Sequence, residues 1–386
     1  MKTKTPLLSS RNGLGVTLGL SLALAAGAAM GAETIKLGVV APITGFQAIL
    51  GVSEQHGVQM AVDEINSSGG IAGKKIEVDL ADAGMSNATA VSATIKVIDD
   101  KVNAIIGLPV STQNIAMAPI LKKGGIPTFF ASTANVVTTL GAPMWRVVVA
   151  DGVSLPIAIK FVKDTLHKTK IGVMNVNDEY GNGSAQLAEE SAKSSGLSVV
   201  AHESFAASIR DFSPQLLKIK NAGAEVLMVY AYPVSVAAIL KQRVSLGLTM
   251  PVIGANPIAQ ASVLHLVTDA EANGAHGVGS IDPNVSPSPA VKVWLAKFES
   301  KFHTPADTYA AAYYDAVMLL KKAVEEVKGA TDPASIRKGL LTVKNYQGIS
   351  SPFTCAPDGN CAHVAWIVQD KGKTPVIIKE VREPGY

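Results

Sequence analysis

The sequence predicts an α/β protein of two lobes, and three observations carry that expectation. About 350 residues remain after an N-terminal export segment, more than one hydrophobic core usually serves. Aromatic residues are scarce while Ala, Val and Gly abound, which suits helices packed on largely parallel sheets. Strand-like and helix-like segments also alternate along the chain, break off near Arg146 to Asp151, and then begin again.

The export segment comes first. Lys2, Lys4 and Arg11 form a positive start, Leu14 to Ala26 is apolar, and Ala28, Ala29, Gly31 and Ala32 offer small residues to a signal peptidase. The apolar run is short and rich in Ala and Gly, which favours a cleaved signal peptide over residues 1–32 rather than a membrane anchor. A periplasmic location follows, with no cysteine near the cut to take a lipid. Removing these three basic residues leaves 31 basic against 31 acidic ones, so the mature chain is about neutral. Neutrality argues against a nucleic-acid or anionic-membrane partner, either of which needs a concentrated positive surface.

The first series reads as a buried strand at Ile35 to Val40 and a helix with Val58, Ala61, Val62 and Ile65 at helical spacing, stopped by Asn66-Ser-Ser-Gly-Gly70. Ile76, Val78 and Leu80 alternate as a strand, and a helix runs through Val91, Ile95 and Ile98. The strand Ala104 to Gly107, a helix from Ser111 and the strand Ile126 to Ala131 follow. The second series has helix Val153 to Leu166, strand Lys170 to Val176, helix Gly183 to Ser195 and strand Leu197 to Val200. It continues with helix Ser213 to Asn221, strand Val226 to Tyr230 and helix Val234 to Leu246, with Gly223 and Gly247 following helix ends. The proline-rich Asp282 to Pro289 reads as a linker before helices Ala290 to His303 and Ala306 to Val327.

Cys355 and Cys361 flank a Pro-Asp-Gly turn and read as a disulfide closing a hairpin tip, with a stabilisation of roughly 2 kcal/mol from loop closure. A metal site is not expected there, because only His363 lies close by. No cofactor motif is found. Gly69-Gly-Ile-Ala-Gly-Lys74 lacks the spacing and hydroxyl of a P-loop, and neither Gly-x-Ser-x-Gly nor His-Glu-x-x-His occurs, so the chain does not read as an enzyme.

Ligands of open α/β sheets bind beyond the carboxyl ends of strands. Gly107-Leu-Pro-Val-Ser111-Thr112-Gln113 ends a strand and opens a helix, so its free N–H groups and hydroxyls would face an anion; an ordinary Ser or Thr helix cap is the alternative. Ala131-Ser132-Thr133 follows the next strand and offers a carbonyl and a hydroxyl.

Taken in order, Ile35-Lys-Leu-Gly-Val-Val-Ala-Pro-Ile-Thr-Gly45, Ala61-Val-Asp-Glu-Ile-Asn66 with Gly69-Gly70, Ile106-Gly107, Asp178-Glu-Tyr-Gly181 and Asp211-Phe-Ser213 resemble the signature segments of the leucine/isoleucine/valine-binding proteins. The resemblance implies two doubly wound α/β lobes joined by a three-strand hinge and closing on a ligand. One lobe would hold residues 33–150 plus 283–343 and the other 151–282 plus 344–386, with the third crossing near Lys344. It implies a monomeric receptor that delivers a small molecule to an ABC transporter permease and ATPase complex. A ligand-sensing receptor for amides or related molecules is the alternative.

By the same resemblance Ser111 and Thr112 hold a ligand carboxylate, Ala131 and Thr133 complete that pocket, and Tyr180 and Tyr232 cover the ligand on closure. Packing at a helix start is the other reading of Tyr180. After the strand Pro251-Val-Ile-Gly254, amino-acid receptors of this type place an acidic partner for the ligand's ammonium, whereas this chain has Asn256. A buried ammonium without its carboxylate would be costly. Either Asp82 or Glu179 takes over, or the ligand is an aromatic or short-chain carboxylate with no ammonium.

Overall fold

The computed structural model describes residues 33–45, 47–255 and 258–386. The expected signal peptide and Asn256 lie outside the described residues.

The first series forms β1 (Ile35–Ala41), α1 (Ala48–Ser67), β2 (Ile76–Asp82), α2 (Asn87–Asp99), β3 (Ala104–Ile106), α3 (Ser111–Gly124), β4 (Thr128–Phe130), α4 (Val136–Thr139) and β5 (Met144–Arg146). Its strands make one parallel sheet in the order β2-β1-β3-β4-β5. The second series gives α5 (Asp151–Asp164), β6 (Lys170–Val176), α6 (Glu179–Ser194), β7 (Ser198–Phe205), α7 (Ser213–Asn221), β8 (Val226–Tyr230), α8 (Pro233–Ser245) and β9 (Val252–Gly254). Two short helices follow, α9 (Ala261–Leu264) and α10 (Asp269–Ala272), and then β10 (Ala275–Gly279). Read from β7 to β10, the second sheet runs β7-β6-β8-β9-β10, which repeats the strand order of the first.

After a 3-10 turn at Pro283–Val285 come α11 (Pro289–Phe302), α12 (Thr308–Glu326), α13 (Pro333–Leu340), a two-residue pair β11 (Tyr346–Gln347) and β12 (Pro352–Phe353), and the hairpin β13 (Val364–Lys371) and β14 (Thr374–Arg382). β13 joins β10 antiparallel and β14 pairs with β13. The proline-rich linker thus holds a 3-10 turn, and the helices after it start within two residues of their expected positions.

Successive strand residues point to opposite faces, and the two sides of the first sheet have different partners. Val39, Ile106 and Phe129 join α1 and α12 in one core, while Val40, Ile105 and Phe130 join α2 and α3 in another. α1 and α12 approach closely because Gly57 has no Cβ, which would stand 2.2 Å from Ala310 O. The disulfide Cys355–Cys361 closes a turn in which Gly359 has φ +86°, and this hairpin lies against β5 rather than against the second sheet. The chain reaches the second sheet only at Val364.

Three buried carboxyls make stability depend on pH. Burial raises Asp282 to about 6 against hydrogen bonds from Asn284 and Ala261. It raises Asp315 to about 7 against those from Ser350 and Ile349. Asp370, neither of whose oxygens has a hydrogen-bond partner among the described residues, is raised to about 8 by burial and by Asp282. A carboxyl raised above its unfolded value contributes stability that is full below that unfolded value and is lost as pH rises through the folded one. Burial lowers His56 and His276, which oppose the trend only below the ordinary histidine range. The melting temperature should therefore rise by about 2 °C or more as pH falls from 8.5 to 6.5. Asp370→Asn should flatten that slope in a thermal-denaturation series.

Candidate functional site

The two sheets share a strand order, and the loops at the carboxyl ends of equivalent strands supply the site. Ser111 follows β3 as the first residue of α3. The residue capping that helix is Val110, with no side-chain cap, so the Ser111 hydroxyl is not the helix cap. It accepts a weak bond of 3.4 Å from Ala134 N instead. Thr133 follows β4 and is 8% exposed.

From the second sheet, Tyr180 is the second residue of α6, whose cap Asp178 accepts from Gly181 N at 2.9 Å. The turn into α6 is tight: a Cβ on Gly181 would meet Val176 O at 1.9 Å. Tyr232 follows β8 and caps α8, and its hydroxyl donates to Asp178 Oδ2 at 2.8 Å. The rings of Tyr180 and Tyr232 lie 5.6 Å apart, tilted by 42°.

These four residues line one narrow cavity of about 20 Å³, together with Pro109, Ala231, Ala255 and Tyr309. Thr112 is half-buried one position along α3, and Ala131 is fully buried at the end of β4; neither is on the cavity wall. Tyr309 was not foreseen. It stands on the first turn of α12, whose cap Asp307 accepts from Ala310 N at 2.9 Å, and that Asp-Thr-Tyr cap was the available signal. Burial raises all three tyrosine hydroxyls, so each is a neutral donor at physiological pH.

Asp151 is the other unforeseen group, at the start of α5 directly after the first crossing between the sheets. It is buried and accepts from Ser184 Oγ at 2.8 Å. Burial raises its carboxyl, opposed by the Ser184 and Thr133 hydroxyls and by the Arg146 cation. Asp151 lines a second groove of about 220 Å³ with Asn135, Glu179 and Glu190. Glu179 therefore opens onto the neighbouring groove. Asp82 is occupied with Ile43 N at 3.0 Å, Thr44 Oγ1 at 2.7 Å and Gly84 N at 2.8 Å, and it is not on the cavity wall.

The cavity sets hydroxyls and a helix N-terminus on one side against aromatic rings on the other. Among the described residues, no group of three or more His, Cys, Asp and Glu is placed to hold a metal ion.

A sequence model of the periplasmic binding protein family matches residues 34–374. The chain is 26% identical over 314 residues to the leucine-, isoleucine-, valine-, threonine- and alanine-binding protein of Pseudomonas aeruginosa, covering 81% of this chain and 83% of that one. Among solved structures, the branched-chain amino acid transporter substrate-binding protein LivJ of Streptococcus pneumoniae, in complex with isoleucine, is 27% identical. It superposes with a TM-score of 0.81 over 90% of this chain and 100% of its own. A solute-binding protein of an ABC transporter from Rhodopseudomonas palustris, in complex with 3,4-dihydroxybenzoic acid, shares the fold at 21% identity. Its TM-score is 0.82 over 91% of this chain and 99% of its own.

Proposed function

The chain belongs to the periplasmic binding protein family, among the leucine/isoleucine/valine-binding proteins, and from that premise we propose that it captures a small carboxylate-bearing solute and delivers it to an ABC transporter permease and its ATPases. Members of this family are substrate-binding transport proteins and not enzymes. One observation carries the reading: Ser111 and Thr133 from one sheet and Tyr180 and Tyr232 from the other line the same cavity. The hydroxyls and the N-terminus of α3 hold the carboxylate, with the Thr112 hydroxyl and the Ala131 carbonyl behind them, and the tyrosines cover it.

The moving bodies are residues 33–150 plus 283–363 and 151–282 plus 364–386, after removal of a signal peptide at 1–32 and export to the periplasm. Pairing of Arg146 with Asn360 supports moving the third crossing from Lys344 to just before Val364. A ligand can shift the balance toward closure only through a higher affinity for the closed state. Small-angle scattering should show a smaller radius of gyration with saturating ligand, and an identical radius would refute closure.

Position 256 sets the kind of carboxylate. With a neutral Asn256, an aromatic or short aliphatic acid should bind at least about tenfold tighter than leucine, a gap of about 1.4 kcal/mol that one missing charge partner supplies. Asn256→Asp should swing preference toward amino acids. Leucine binding with sub-micromolar affinity, with no response to aromatic acids in titration calorimetry, would overturn this. Asp151 would then be the acid to test as the ammonium partner, since it is buried beside Thr133 while Asp82 is tied to its own loop.

A further inference from the structure

Arg146 ends β5 and is fully buried, although arginine is almost never buried without a charged partner. Among the described residues, its guanidinium hydrogen-bonds two main-chain carbonyls and no carboxylate. Nη1 donates to Thr133 O at 3.1 Å and Nη2 to Ala134 O at 2.6 Å. The cation also lies 5.3 Å from the ring centroid of Phe130. Burial lowers its pKa to about 10, against the opposing pull of Asp151 and Asp358, so it stays charged at neutral pH.

The backbone of the same residue is held by the disulfide hairpin. Arg146 N donates to Gly359 O at 2.7 Å, and Cys361 N donates to Arg146 O at 3.0 Å. The contact is close enough that a Cβ on Gly359 would meet Met144 O at 2.4 Å. A continuous set of contacts thus runs from the Cys355–Cys361 turn through the Arg146 backbone and side chain to the loop that carries Thr133.

We propose that Arg146 is a positioning residue for the carboxylate end of the ligand site, and that the disulfide hairpin is the part that holds it there. This rests on the reading of Ser111 and Thr133 as the carboxylate-binding pair. Carbonyl oxygens repel a carboxylate, and the guanidinium keeps those of Thr133 and Ala134 engaged. It also places a buried positive charge beneath the loop, where low polarity strengthens its field. Asp151 N donates to Thr133 O at 3.0 Å and fixes the same carbonyl from the side of α5.

The test is amide hydrogen exchange on the ligand-free full chain, comparing wild type with Arg146→Lys and with the Cys355→Ser, Cys361→Ser double variant. Exchange across residues 131–136 should rise about tenfold in both variants, with the strand 170–176 of the second sheet unchanged. Lysine keeps the charge but cannot bridge two carbonyls, so its behaviour separates geometry from charge. If Arg146→Lys does not fold, the cysteine variant decides. Folded cysteine-free protein with wild-type protection at 131–136 overturns the proposal. Parallel titrations of wild type with isoleucine and with benzoate test the carboxylate reading separately, because exchange is measured without ligand. Whichever acid binds should bind the cysteine variant about tenfold more weakly, through faster dissociation.

Discussion

Replacing both Ser111 and Thr133 with alanine should weaken binding of the proposed carboxylate ligand by about a hundredfold or more, with little change in ligand-free melting temperature. The described cavity wall has no cationic side chain: it is made of three tyrosines, two alanines, a proline and these two hydroxyls. The proposed carboxylate would therefore depend on hydroxyls and backbone N–H groups, and a hydrogen bond to a charged group contributes about 1.5–3 kcal/mol. Losing two such bonds exceeds the roughly 2.7 kcal/mol that a hundredfold change represents. Neither hydroxyl caps a helix; the internal bonds lost are the weak one from Ala134 N and the Thr133 bond to Asp151, which keeps its bond from Ser184, so the fold should tolerate the change. Titration calorimetry giving an affinity within threefold of wild type would remove both residues from the site.

The second large effect is on stability. Gly57→Val should cost about 3 kcal/mol or more and lower the melting temperature by about 6 °C or more, at the upper end of what overpacking does. The obstacle is main chain: Ala310 O stands 2.2 Å and Tyr314 N 3.1 Å from the new Cβ, so α1 and α12 must separate. Separation also carries Tyr309, one residue before Ala310, away from the cavity, and ligand affinity should fall with stability. Gly183→Ala is the contrasting change. Nothing lies within 4 Å of its Cβ position inside α6, so alanine should stabilise by about 0.5–1 kcal/mol through helix propensity alone. Thermal denaturation of the two variants giving the same sign would refute the packing argument.

Much of the fold was legible because parallel strands buried on both faces read as short apolar runs between helices. Ile35 to Val40, Lys170 to Val176 and Val226 to Tyr230 lie within one residue of observed strands. β7 extends to Phe205, five residues past its expected end, because its exposed half is polar. β5 and β10 were not legible. β5 is three residues long, and β10 is Ala-His-Gly-Val-Gly, where Gly277 leaves room for a loop whose Ala259 Cβ would be 3.1 Å away. The β13–β14 hairpin is antiparallel and falls outside the strand–helix alternation that guided the rest.

On the cavity wall, Ser111 and Thr133 were legible in the loops that follow strands, while Tyr180 and Tyr232 were legible only through the family resemblance. Tyr309 and Asp151 each lie at a helix start that follows no strand of the expected series, and only the folded chain brings them near the cavity. The strand after which Asn256 stands was legible, but its side chain lies beyond the described residues.

The pairing of α1 with α12 has a consequence for the order of folding. Their contact joins residues about 250 positions apart, and closing a loop of that length must precede the reward of packing. The five strands of the first sheet are complete by Arg146, yet the face carrying Val39, Ile106 and Phe129 lacks its second helix until Glu326 has been made. A chain emerging from its N-terminus thus passes through a stage with an uncovered apolar sheet face, unable to complete its first core. Completion waits for the last quarter of the polypeptide, so the first sheet gains its full packing only when synthesis is nearly finished.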